Sequence, residues 1–280
     1  MTTQIGPIDL QKLIDAGAVK VLDGSWALDG TDMFDLYRHD HIPGAQFFDI
    51  EAISDHATEL PHMAPSPEQF ANAVGLMGIC ETDHVVIYDR QGLFSAARVW
   101  WTFKLMGHEN VQVLHGGLPA WREAGLPVTA EVETPVPATY RSTFRQEKII
   151  DRGTLQKMLG TAGYCVLDAR SQARFEGAAP EPRAGLRSGH MPGSLSLPFG
   201  NLIRDGALKP RDELKAIFAS LGVDEAYTVI TSCGSGVTAA IISMALAEVG
   251  HTAAQLYDGS WSEWGQEALT TPVVTGPAQI

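Results

Sequence analysis

Short runs of β-branched and aliphatic residues alternate along this chain with longer Ala-, Ile-, Leu- and Met-rich stretches. The runs Val19–Asp23, Cys165–Asp168 and Thr228–Thr231 read as strands, and Val237–Val249 reads as a helix closed by Gly250 at a C′ position. Two shorter apolar segments, Gln46–Ile50 and Ser194–Pro198, each follow a His-x-Pro-Gly turn. Strands alternating with helices predict an α/β fold, in which a largely parallel sheet is covered on both faces.

The pattern occurs twice. Residues 86–121 lie over 229–264 without a gap, at a constant offset of 143 (229 − 86). Gly107-His108 falls on Gly250-His251, Gly116 on Gly259, and Trp121 on Trp264. Upstream, Val21-Leu-Asp23 answers Val166-Leu-Asp168, and His41-Ile-Pro-Gly44 answers His190-Met-Pro-Gly193. We therefore expect two α/β domains, 1–130 and 146–280, joined by a linker over 131–145; the stretch Thr129–Ala138 is rich in Pro and acid and has no period.

The two copies differ where chemistry is expected. The second adds an arginine-bearing loop, Arg174–Arg187, and the first adds the polar stretch Ser54–Met63. Such unequal insertions suit a cleft built where two domains meet. At the position of Cys233 the first copy carries Arg90, so the first domain is catalytically degenerate and Arg90 is expected to be a plain surface cation, or else an interface residue.

Composition narrows the class. A hydrophobic fraction of 45% with 19% charged residues is that of a globular protein, and 20 Lys+Arg against 33 Asp+Glu give a formal charge of −13. That charge argues against nucleic-acid partners and against an anionic membrane surface. The first ten residues lack a signal-peptide pattern, and no apolar run is long enough to span a bilayer. Three scattered cysteines form no disulfide framework, no Cys/His spacing matches a zinc site, and nothing requires another cofactor. The expected location is the reducing cytoplasm.

One cysteine stands apart. Cys165 lies inside an apolar strand and Cys80 ends an apolar stretch, which are structural positions, whereas Cys233 sits where strand, glycine loop and helix meet. Gly234 and Gly236 permit main-chain turns that direct consecutive N–H groups at the sulfur, and the helix N-terminus adds partial positive charge. These favour thiolate over thiol and would equally hold a persulfide.

The loop Cys233-Gly-Ser-Gly-Val-Thr238 resembles the signature of the tandem rhodanese family, in its 3-mercaptopyruvate sulfurtransferase subgroup. The elements Phe48–Ala52, Ser54–His56, Pro61–Met63, Glu181–Arg183 and Tyr257–Trp264 extend the resemblance over essentially the whole chain. It implies two rhodanese-like domains and transfer of sulfur from 3-mercaptopyruvate onto Cys233, with release of pyruvate. It further implies passage of that sulfur to a thiol such as thioredoxin or glutathione, or to cyanide. Catalytic candidates are Cys233, Ser235 and His62, with Glu51 or Asp49 as the acid orienting the histidine. Gly234, Gly236, Val237 and Thr238 form the substrate loop, and Arg174 and Arg183 match the family's carboxylate-binding arginines.

Arginine's planar fork suits a ketoacid carboxylate; the alternative is pairing with Glu176 and Glu181 as solvated surface charge. His41, His190, Asp23, Asp168 and Arg187 are expected to be structural, and Trp261 and Trp264 to pack in the core, the alternative being that they wall the cleft. Three other readings stay open: a thiosulfate sulfurtransferase, a non-catalytic sulfur-relay module, and a cysteine phosphatase. The last needs Cys-x5-Arg, and the sixth residue after Cys233 is Ala239.

Overall fold

The computed structural model describes residues 2–224 and 226–278. Its strands are β1 (Gln4–Ile5), β2 (Lys20–Asp23), β3 (Gln46–Phe47), β4 (Val85–Tyr88), β5 (Val111–Leu114), β6 (Ile149–Ile150), β7 (Tyr164–Asp168), β8 (Leu195–Ser196), β9 (Ile203–Arg204), β10 (Ala207–Leu208), β11 (Thr228–Ser232) and β12 (Gln255–Tyr257). Two five-stranded sheets form, ordered β1-β5-β4-β2-β3 and β6-β12-β11-β7-β8, and every pairing within them is parallel. The second order is the first repeated strand for strand. Two tandem α/β domains, each a parallel sheet flanked by helices, are the architecture of this chain.

The repeat extends into the cores. One core packs Leu10, Val21, Leu118 and Trp121; the other packs Leu155, Val166, Trp261 and Trp264 at the matching places. Both tryptophans of the second set are fully buried, so they fill the core. Truncating either to Ala removes a packed aromatic and costs about 3–5 kcal/mol.

The chain divides into two compact units that do not follow sequence order. One comprises Met1–Asp55, Ala64–Arg145 and Ile203–Leu208; the other comprises His56–Met63, Gln146–Leu202 and Lys209–Ile280. The polar stretch around His62 thus belongs to the unit that contains Cys233. The antiparallel hairpin β9-β10 belongs to the other. The Pro-rich segment is strapped to the first unit: Thr129 and His41 exchange main-chain bonds, and Ala138 and Thr143 donate to Gly75 and Met106. Its prolines lack N–H groups, so these bonds come from residues that flank them.

Helix boundaries moved slightly. The last long helix runs Ala239–Val249, two residues later than the expected start at Val237, because the chain turns through Val237 and Thr238 before regular bonding begins. Gly250 ends it in the left-handed conformation with φ 96°, donating to Ala247 and Leu246. Arg90 is not a surface cation. Its side chain is 13% exposed and donates to the main-chain oxygen and carboxylate of Asp40, since a guanidinium this buried requires a partner.

Candidate active site

Strand β11 ends at Ser232 and delivers Cys233 at the carboxyl edge of its sheet, the side on which open α/β sheets place their ligands. The short helix Ser260–Trp264 fixes the loop that follows. Ser260 Oγ accepts the Cys233 N–H at 3.1 Å, and Trp261 N–H donates to the Cys233 carbonyl at 2.9 Å. Ser262 binds the Gly234 carbonyl twice, through its N–H at 2.8 Å and its hydroxyl at 2.7 Å. Ser260 holds φ 48°, an uncommon conformation for a residue with a side chain. Sequence reasoning gave these two serines no role. The repeat held a signal, because Gly117 occupies the place of Ser260 in the first copy, where no cysteine needs holding.

The first copy displays what a loop of this length does. Between β4 and the helix Ala96–Leu105, the N–H groups of Gln91, Phe94 and Ala96 donate to the Asp89 carboxylate at 2.9, 2.7 and 2.9 Å. Three main-chain donors around one anion form a nest. Burial pushes the Asp89 carboxyl up from its ordinary value, and these donors oppose the shift. At the 143-residue offset the donors correspond to Gly234, Val237 and Ala239, while Asp89 corresponds to the neutral Ser232. The second copy therefore retains the loop without its internal anion, and carries a thiol one residue further on.

Ser235 lies in that loop, and His62 Nδ1 sits 2.9 Å from its hydroxyl. Both residues are buried, and His62 adopts φ 60°. Of the two expected orienting acids, Asp49 caps the helix Ile50–Ile53 by accepting from Ala52 N–H at 3.0 Å, and Glu51 accepts the Trp26 indole N–H at 2.8 Å.

The arginine loop is not solvated surface charge. Arg174 donates from Nε and Nη2 to the two oxygens of Glu181, at 3.3 and 2.5 Å, and the Glu181 side chain is 1% exposed. Glu176 pairs with Gln172 instead. A Cβ built on Gly234 would lie 3.2 Å from Arg174 Nη2, so the guanidinium rests against the cysteine loop. Arg183 lines an open groove of about 350 Å³ together with Leu60, Pro61, Leu186, Gln266 and Ser262. Ser262 also anchors Gly234, which joins the groove to the loop.

The remaining residues take structural places. His41 and His190 are buried, stack on Tyr37 and Phe175, and bond main-chain oxygens. Asp23 accepts from Ser25, and Asp168 from Arg170. Arg187 ties the carbonyls of Trp264 and Thr271. Burial raises the Cys165 thiol to about 11, which keeps it protonated and unreactive at neutral pH. Among the described residues, no cluster of three or more His, Cys, Asp or Glu side chains could hold a metal ion, and no helix is long and apolar enough to cross a membrane.

Two parallel-sheet domains, one of them presenting a cysteine in a glycine-broken loop beside a buried Ser-His pair, define a class of tandem-domain cysteine proteins. The rhodanese-like domain family model matches twice, at residues 7–124 and 151–267. The chain is 41% identical over 268 residues to 3-mercaptopyruvate sulfurtransferase of Escherichia coli, covering 94% of this chain and 95% of that one. It is 37% identical to the Homo sapiens 3-mercaptopyruvate sulfurtransferase, with 92% and 88% covered. The crystal structure of SseA from Escherichia coli, described as a 3-mercaptopyruvate sulfotransferase, superposes with TM-score 0.86 at 39% identity, covering 94% of this chain and all of that one. The chain belongs to the tandem rhodanese family, in its 3-mercaptopyruvate sulfurtransferase branch.

Proposed function

We propose that this enzyme takes the sulfur of 3-mercaptopyruvate onto Cys233 and passes it to a second thiol or to cyanide. The observation that carries the reading is the 2.9 Å contact between His62 and Ser235, two residues beyond the cysteine. The Cys233 thiolate attacks the donor sulfur, forming an S–S bond as the donor C–S bond breaks. The bonding pair leaves on carbon as the enolate of pyruvate, and the proton that completes pyruvate comes from the donor thiol through Ser235 and His62. Arg174 and Arg183 clamp the ketoacid carboxylate, while Gly234, Gly236, Val237 and Thr238 enclose the persulfide with main-chain donors.

In the second half-reaction an acceptor thiolate, from thioredoxin, glutathione or a similar thiol, attacks the outer sulfur and restores the Cys233 thiolate. A reducing compartment such as the cytoplasm suits a chain whose three cysteines are free. Neutral Gly234 and Ser235 favour the monoanionic mercaptoketoacid over the thiosulfate dianion.

Intact mass after adding 3-mercaptopyruvate without acceptor tests the reading. Wild type is expected to gain one sulfur atom and Cys233→Ser none. Turnover that survives in the serine variant would end the proposal.

A further inference from the structure

The residue facing the substrate in this reading is Arg174, and its position depends on a chain of charges deeper in the same unit. Arg170 is wholly enclosed: its side chain is 0% exposed, and its guanidinium carbon lies 4.0 Å from the centroid of the Trp261 ring. It bonds Asp168 through Nε and Nη2 and the Gly189 carbonyl at 2.8 Å. Its remaining nitrogen, Nη1, reaches Glu181 Oε1 at 2.8 Å. Glu181 in turn grips the Nε and Nη2 edge of Arg174. Two cations and two carboxylates thus alternate from the end of β7 to the rim of the Cys233 loop, with formal charge summing to zero.

The geometry assigns Glu181 as a positioning residue, backed by Arg170, that locks the Arg174 guanidinium so that its opposite edge faces the donor carboxylate. This rests on the reading of Arg174 as a carboxylate clamp. Among the described residues the Arg174 Nη1 atom has no hydrogen-bond partner, while the fork's other edge is saturated by Glu181. A flexible arginine loses rotamer freedom on gripping a ligand, and a fork already fixed on one edge does not. Arg170 performs the same service one step back. Buried and always charged, it requires a second carboxylate beyond Asp168, and Glu181 satisfies it without becoming exposed. Trp261, whose N–H holds the Cys233 carbonyl, covers Arg170 with its ring, so one residue references both the sulfur loop and the arginine chain.

The test compares two donors in Glu181→Gln: 3-mercaptopyruvate, and 1-mercaptopropan-2-one, which lacks the carboxylate. Glu181→Gln is expected to raise KM for 3-mercaptopyruvate about tenfold, with kcat within about threefold of wild type, while kcat/KM for the carboxylate-free donor stays unchanged. Glu181→Asp keeps the charge but shortens the side chain by one bond, about 1.5 Å. It should show a smaller effect of the same selectivity, and it carries the test if the glutamine variant does not fold. Equal losses on both donors would reduce Glu181 to a structural residue and overturn the inference. Arg174→Ala separates the two claims. If it discriminates between the donors and the Glu181 variants do not, the inference fails and the clamp stands. If Arg174→Ala treats both donors alike, the clamp itself fails and the inference with it.

Discussion

His62 Nδ1 and Ser235 Oγ meet at 2.9 Å although 173 positions separate them in the chain. The contact forms because the segment His56–Met63 packs with the unit that carries Cys233. A buried histidine at hydrogen-bond distance from a loop hydroxyl is suited to move a proton to and from a reacting group.

If the pair acts as one device, His62→Gln and Ser235→Ala should each lower kcat for 3-mercaptopyruvate about 100-fold, and the double variant should be no slower than the worse single one. Steady-state kinetics on the three variants check this. Multiplying losses would indicate independent roles.

Gly234 leaves room for the arginine beside it. In Gly234→Ala the new Cβ would stand 3.2 Å from Arg174 Nη2, tighter than ordinary contact, so the guanidinium must shift. We expect KM for 3-mercaptopyruvate to rise about three- to tenfold while the melting temperature changes by less than about 3 °C. A large drop in melting temperature with unchanged KM would place the strain in the loop backbone instead.

Donor preference follows from loop charge. With cyanide as acceptor, kcat/KM for 3-mercaptopyruvate should exceed that for thiosulfate, because a neutral loop gives a dianion little compensation. Equal or reversed values in the wild type would contradict the argument.

Stability should fall in mild acid through two buried histidines. Burial lowers the pKa of His108 and of His190, opposed by the hydrogen bonds their rings donate to the main-chain carbonyls of Asp83 and Phe175 respectively. His108 is held between the Asp83 carbonyl at 2.9 Å and the Tyr140 hydroxyl at 3.2 Å, an arrangement that fits a neutral ring. A base with a depressed folded pKa binds fewer protons in the native state than in the unfolded one. Its stabilisation is therefore complete above the unfolded value of about 6.5 and declines as pH drops through that value toward the folded one. Urea midpoints at pH 7.5 and 5.5 should differ less in His108→Asn than in wild type; an unchanged difference would exclude His108 as a contributor.

The sequence by itself determined the α/β class, the repetition and the place of the one cysteine set between strand, glycine loop and helix. Each is a local property: strand runs, the 143-residue offset, and glycines flanking a single cysteine. The structural roles of His41, His190 and Arg187 were also legible, since a histidine before Pro-Gly in both copies marks a turn. Tertiary structure decided the rest. It paired Arg90 with Asp40, set Ser260 and Ser262 under the cysteine loop, and ran a charge chain from Asp168 to Arg174. It also packed His62 with Ser235 in a unit that sequence order assigns to the other half. Periodicity records which face of an element is buried, but not which buried polar groups satisfy one another. Those partnerships depend on distances closed only when the sheets and loops have packed, where an unpaired donor or charge costs several kcal/mol.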